Sequence, residues 1–210
     1  MTNVLQVKSP FVVGVVGGIA SGKSQVTRML GELNGTIISA DEIAHRVLQE
    51  PDVIDSLVKI FGDSILTERS IDRKKLASMV FGDSEVCKTM RKKLEAIVHP
   101  RIRQLAKSDL ETLKRDPNTR MIILDAPLLI EGGWLPYCDR IIYVDSVDNE
   151  RKKRAMERGW NAQQWQDRES AQMSLSEKKK YATDVLLNIG TIEELNQRVL
   201  EFGRSLQCSP

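Results

Sequence analysis

Near the start of the chain, GGIASGKS at 17–24 sets glycines, a lysine and a serine at the spacing G-x-x-x-x-G-K-S. That pattern suits the holding of phosphates. Glycines let consecutive backbone N–H groups converge on one anion, and a helix opening at the end of the loop adds its partial positive charge. Lys23 then reaches the β- and γ-phosphates of a nucleoside triphosphate, and the Ser24 hydroxyl can ligate the Mg²⁺ that accompanies it. Gly17, Gly18, Ile19, Ala20, Ser21, Gly22, Lys23, Ser24 and Gln25 are therefore the expected ATP-binding stretch. The bland alternative is a glycine-rich turn with a solvated lysine. Against it, the loop follows an apolar run and precedes a helical one, the context the motif requires.

Asp41 lies in IISADEIAH (37–45), just after a second apolar run. The C-terminal ends of parallel strands share one crevice, so its carboxylate is a candidate to accept a substrate hydroxyl proton. The local reading is equally open: Ser39 three residues before Glu42 is a capping box, and an acid in the first turn favours the helix dipole. Asp125 ends the run MIILD (121–125), where an acid can hold Mg²⁺ directly or through water. Its other reading is a strand-ending turn residue before Pro127.

Arg151, Arg154 and Arg158 fall within one or two helical turns, and Arg154 and Arg158 share a face. Charge runs are commonly solvated faces, and Glu150–Arg154 is an ordinary helix pair. Phosphoryl transfer, however, needs cations over its developing negative charge, which favours a functional reading. Trp134, Trp160 and Trp165 read as packing residues. His99-Pro100 reads as a helix boundary, since the residue before proline is pushed out of the helical region.

These groups need a scaffold, and the continuous apolar runs at 11–16, 36–39, 121–125, 140–145 and, more weakly, 184–187 supply one. Runs without alternation suit parallel strands covered on both faces, so the expected class is α/β with three layers. A helix is expected over 23–33. Between the second and third strands, residues 42–119 carry no strong strand signal, and apolar residues recur there at helical spacing, as in Val53, Leu57 and Phe61. This is more chain than a crossover helix needs and reads as an inserted helical subdomain. Residues 149–180 are charged and helix-prone, which suits a mobile flap over the core rather than part of it.

The chain has 210 residues, 41% of them hydrophobic, enough for one domain with elaborations. Its 31 basic and 29 acidic residues leave a formal charge of +2 and no electrostatic footprint for nucleic acid or an anionic membrane. Cys87, Cys138 and Cys208 lack metal-ligand spacing, and His45 and His99 are far from them. Neither a disulfide framework nor a zinc site is expected, and a reducing cytoplasm fits. The run at 11–16 is too short to span a bilayer, so no membrane association is expected. No motif bears on oligomeric state.

Taken in order along nearly the whole chain, these segments resemble the dephospho-coenzyme A kinase family. GGIASGKS resembles its phosphate loop, and SADEIAH is similar to its D-A-D-x-I-A-R segment. FGDSIL, IDRKKLASMVF and IVHP resemble its substrate-binding helical insertion, and APLLIE its P-L-L-x-E signature. RKKRAMERG resembles its lid, Arg168 to Gln172 its R-x-x-x-Q, and DVLLNIG its late strand with Asn188 and Gly190. The resemblance implies a P-loop kinase fold with a five-stranded parallel sheet, a helical insertion and a helical lid over 149–180. It also implies transfer of the ATP γ-phosphoryl group to the ribose 3′-hydroxyl of dephospho-CoA, with Mg²⁺.

On this resemblance Asp41 falls on the proposed base, Lys23 and Ser24 on the loop lysine and Mg²⁺ serine, and Arg154 and Arg158 on lid arginines. The lid arginines, Arg154 among the catalytic residues, are expected to swing over the γ-phosphate. Asn188 and Gly190 join the nucleotide site, while Arg73 and His99 fall on the substrate side. Departures are Ser39 for the first aspartate of D-A-D, Arg69-Ser70 for Asp-Gly, Arg151 for a common glutamine and Thr183 for a usual aspartate. Asp125 is not a fixed acid in the pattern. A P-loop kinase for another metabolite, or a nucleotide-driven switch, are the rival readings; no N-K-x-D guanine motif favours the switch.

Overall fold

The computed structural model describes residues 9–82, 84–126 and 128–207, so Pro127 of APLLIE and Cys208 lie outside it. Two units form, one from the chain up to Ile38 and from Thr112 onward, the other from Ser39–Glu111. In chain order the first unit opens with β1 (Phe11–Gly17), α1 (Lys23–Glu32) and β2 (Gly35–Ser39). The second contributes α2 (Ala40–Val47), α3 (Pro51–Phe61), the short strands β3 (Leu66–Thr67) and β4 (Ser70–Ile71), α4 (Arg73–Val80) and most of α5 (Glu85–Arg115). The first resumes with β5 (Met121–Asp125), β6 (Arg140–Asp145), α6 (Asp148–Glu157), α7 (Ala162–Ser170), α8 (Leu175–Lys180), β7 (Asp184–Leu187) and α9 (Ile192–Gln207).

The five-stranded parallel sheet runs in the order β2-β5-β1-β6-β7. β1 pairs in parallel with β5 from Phe11↔Met121 and with β6 from Val13↔Arg140. Residues 12–17 are buried without a break, as a strand covered on both faces must be. The chain leaves β1 toward one side of the sheet and later crosses to the other, so the loop after β1 stands at the switch point where α/β sheets open a ligand crevice. α1 and α9 cover one face, with Val26, Leu30, Leu195 and Val199 packed on Val13, Ile123, Ile142 and Val144. Each fully buried aliphatic there contributes about 1.5–3 kcal/mol. Thr183 starts β7 by accepting the Ile141 N–H at 2.9 Å, and Arg140 pairs with Asp184 across the same edge.

The helical unit is built from apolar stripes at helical spacing: Val53, Leu57 and Phe61 on α3, Leu76 and Val80 on α4. Asp72 caps α4 by accepting the N–H groups of Lys74 and Lys75 at 2.9 and 3.1 Å, which holds its carboxyl below the usual range. Two expectations are corrected here. His99-Pro100 is not a boundary: Pro100 lies inside α5, a 31-residue helix. Proline removes one backbone donor, but Val98, Ala106 and Leu110 are buried along the same helix, and that packing outweighs one lost bond. The segment also holds the β3–β4 hairpin, closed by Glu68 and Arg69 at φ 50° and 64°. The unit spans Ser39–Glu111.

Candidate active site

The loop between β1 and α1 turns because Gly22, at φ 102°, takes the left-handed conformation as N-cap of α1. No side chain caps that helix and no acid stands in its first turn, so its leading N–H groups are left for an external anion. Lys23 folds back over the loop and donates to the Gly17 and Gly18 carbonyl oxygens at 3.1 and 2.8 Å. Its ammonium is pushed down to about 8, first by burial, then by the nearby Lys178 and Arg151 charges; Asp125 and Glu169 oppose the shift. Ser21 Oγ and Gln25 Nε2 are buried with no partner, a cost that a phosphate-bearing ligand can remove.

The outer side of the loop is braced by its neighbours. Arg151, 2% exposed, donates from Nε to the Ile19 carbonyl at 3.0 Å, pairs with Asp148 and Glu169, and lies over the Trp165 ring. A Cβ on Gly18 would meet its guanidinium at 2.4 Å, so only glycine admits this contact. Arg154 donates to the Ala20 carbonyl at 3.2 Å and to Ser146 Oγ at 3.0 Å. Asn188 donates to the Ser21 carbonyl at 2.8 Å. The segment expected as a flap thus carries core of its own: Ala155 and Trp165 are buried with Ile19 and Ala20, and Trp160 packs beside them. Its charged composition concealed this because three apolar residues suffice once an arginine stem joins them.

Two cavities adjoin the loop. One of about 350 Å³ is lined by residues 20–25 with Arg28 and Arg158. The other, about 300 Å³, shares Ala20, Gly22, Gln25 and Arg158 and extends to Arg154, Asn188 and Gly190. The structure therefore gathers the loop, Arg154, Arg158, Asn188 and Gly190 into one continuous site. Asp125 is close enough to act on Lys23 electrostatically. Among the described residues no cluster of three or more His, Cys, Asp or Glu forms a metal cage. Mg²⁺ needs none, since it is commonly bound by one or two protein oxygens together with substrate phosphates. Ser24 and Asp125 fit that donor set.

In the helical unit, Asp41 sits exposed in the first turn of α2, and Ser39 accepts the Glu42 N–H at 3.3 Å, the serine half of the expected capping box. Arg73 Nη1 donates to His45 Nε2 at 2.6 Å, so the imidazole accepts there. His99 is exposed on α5. The partner of Arg73 is thus His45, which stands where the D-A-D-x-I-A-R pattern carries arginine. Its position in that segment was the available signal. Arg151, named with Arg154 and Arg158 from the sequence, is buried, as is Lys178, which its charge run did not single out.

The chain matches the family model CoaE, dephospho-CoA kinase, over residues 11–194. It is 41% identical to the dephospho-CoA kinase of Geobacillus kaustophilus over 191 residues, 90% of this chain and 92% of that one. With the dephospho-CoA kinase of Rhodopirellula baltica it shares 38% identity over 189 residues, 90% and 87% of the two chains. A crystal structure from Thermus thermophilus superposes with a TM-score of 0.76 at 33% identity, covering 97% of this chain and 100% of that one. The dephospho-CoA kinase structure from Campylobacter jejuni gives 0.67 at 26% identity, covering 93% and 96%.

Proposed function

This chain belongs to the dephospho-CoA kinase family, and from that premise we propose how its own residues carry the reaction. The activity is phosphorylation of dephospho-CoA, the last step of coenzyme A biosynthesis. ATP supplies the γ-phosphoryl group, the ribose 3′-hydroxyl receives it, and ADP leaves. The observation that carries the assignment of roles is the uncapped start of α1 beneath a half-buried Lys23, opening onto two adjoining cavities.

The triphosphate lies along the loop, its outer phosphates on the leading N–H groups of α1 and on the Lys23 ammonium, which exchanges its bonds to Gly17 and Gly18 for phosphate oxygens. The nucleoside occupies the cavity bounded by Asn188 and Gly190. Arg158, exposed and lining both cavities, is the arginine free to close on the phosphates. Arg154, tied to Ala20 and Ser146, first holds the loop's shape and reaches the phosphates only by leaving those bonds. Ser24 and Asp125 would hold the Mg²⁺ that accompanies ATP, which would neutralise phosphate charge.

Asp41 accepts the proton of the acceptor hydroxyl, and Arg73 with His99 engages the anionic body of dephospho-CoA. The transition state is loose, so positioning and charge complementarity do most of the work.

The test is ADP release by the purified chain with ATP and Mg²⁺, with and without dephospho-CoA, and the product's new phosphate located on the ribose by NMR. Release that requires dephospho-CoA and a 3′-phosphate product is expected. Equal release without acceptor, or a phosphate elsewhere, rejects the reading.

A further inference from the structure

Besides Arg154, which is tied to Ala20 and Ser146, three buried or half-buried cations adjoin the phosphate loop, and the roles above leave one without a task. Lys23 serves the triphosphate. Arg151 is engaged by Ile19, Asp148 and Glu169. The third is Lys178 on α8, a helix that packs against β1. Its side chain is 3% exposed. An ammonium has three donors, and among the described residues this one makes a single hydrogen bond, to Gln172 Oε1 at 2.7 Å, with the Glu131 carboxylate at 3.8 Å.

Burying such a group beside two further cations is unfavourable unless an anion completes the site. The charges facing Lys178 are Glu131 and Glu169 on one side of the balance and Arg151 on the other, and burial first of all lowers its proton affinity. After burial, Lys178 is the strongest influence lowering that of Lys23. The two ammonium groups therefore share one electrostatic neighbourhood, which an incoming phosphoryl group would neutralise.

Two motif residues without a role meet at this point. Glu131, from APLLIE, accepts the Met173 N–H at 3.0 Å and so anchors the turn from which Gln172 reaches Lys178.

We propose that Lys178 is a further catalytic cation, keeping one donor on Gln172 and giving the others to a non-bridging oxygen of the γ-phosphoryl group, with Glu131 and Gln172 as its positioning residues. The inference rests on residues 17–24 being the triphosphate cradle. A loose transition state spreads charge over three oxygens, more than one lysine can meet.

The experiment compares the full chain with Lys178→Met, Lys178→Arg and Gln172→Glu. Calorimetry reads the binding of ADP and of the β,γ-imido analogue of ATP, and turnover of dephospho-CoA is measured on the same samples. Exchanging a buried charge for an apolar side chain of similar length is often tolerated, so the Met variant is expected to fold. It is expected to bind the imido analogue about tenfold more weakly, with ADP changed by no more than about twofold. Its kcat is expected to fall about a hundredfold, with partial recovery in the Arg variant.

Gln172→Glu places a competing carboxylate on the ammonium and is expected to lower kcat about tenfold at an unchanged melting temperature, which a structural role alone would not do. Unchanged kcat in a folded Met variant, or equal losses for ADP and the analogue, overturns the proposal. A raised KM for dephospho-CoA with kcat unchanged also overturns it, by placing the ammonium on the acceptor's diphosphate. If the Met variant fails to fold, unchanged kcat in Gln172→Glu is decisive against it. Absent turnover by the unmodified chain, with analogue-selective binding intact, sinks the acceptor assignment and leaves the Lys178 assignment supported by the binding measurements.

Discussion

Around residues 17–24 three cations are buried or half-buried and already engaged, Lys23 on two loop carbonyls, Arg151 on a third and Lys178 on Gln172, while Arg158 stays exposed. In the helical unit the candidate residues Asp41, Arg73, His45 and His99 are all exposed, and the bond between Arg73 and His45 lies in solvent. A cradle with fixed, desolvated charges needs little reorganisation when a triphosphate arrives. Exposed groups interact weakly until a ligand excludes water. The contrast separates the proposed nucleotide site, already shaped, from proposed acceptor residues that would gain strength only on binding.

Substitutions can sharpen or break that contrast. The largest effect is expected at Lys23→Met, which removes a preorganised cation: kcat falls about a thousandfold, measured by coupled ADP assay. The same lysine has a pH signature. Its ordinary value is 10.5 and the folded value about 8, so between the two the unfolded chain holds more protons and stability rises with pH. Affinity for ATP, which needs the charged form, falls over the same window. Urea unfolding of the ligand-free chain against Lys23→Met, alongside ATP titrations, is expected to show these opposite trends from pH 8 to 10.5; parallel trends would place the titration elsewhere.

Asp41→Asn is the next in size and the one that can break the comparison. Though exposed, Asp41 is the proposed acceptor of the hydroxyl proton, so kcat is expected to drop about a hundredfold with ATP affinity retained. Near-normal turnover would leave it only its place in the first turn of α2. Arg73→Ala is expected to raise KM for dephospho-CoA about tenfold with little change in kcat, the pattern of a contact made equally in ground and transition states. Smallest is Ser39→Ala, expected to cost about 1 kcal/mol in chemical unfolding through the lost cap. Ser39→Asp, which restores the resembled pattern and can still cap, is expected to retain stability.

The strands and the loop were legible because their signals are local. β5, β6 and β7 fall where their apolar runs do, and α1 starts at Lys23 as the motif requires. The β3–β4 hairpin was not, since strands of two residues carry no periodicity, and its turn uses Glu68 and Arg69 where asparagine and glycine are the usual signal. Pro100 misled because its local preference opposes the helix that packing imposes. Within 149–180 the charge density masked which of many cations turn inward.

By itself, then, the order of residues determined where the glycine loop lies, which strand leads into it and that α1 opens at Lys23, because backbone conformation and helix initiation depend on near neighbours. Tertiary structure decided which arginine braces the loop and which stays exposed, that His45 meets Arg73, and that Lys178 is buried within electrostatic reach of Lys23. Burial and partner choice join residues far apart in sequence, and spacing along the chain carries no record of them.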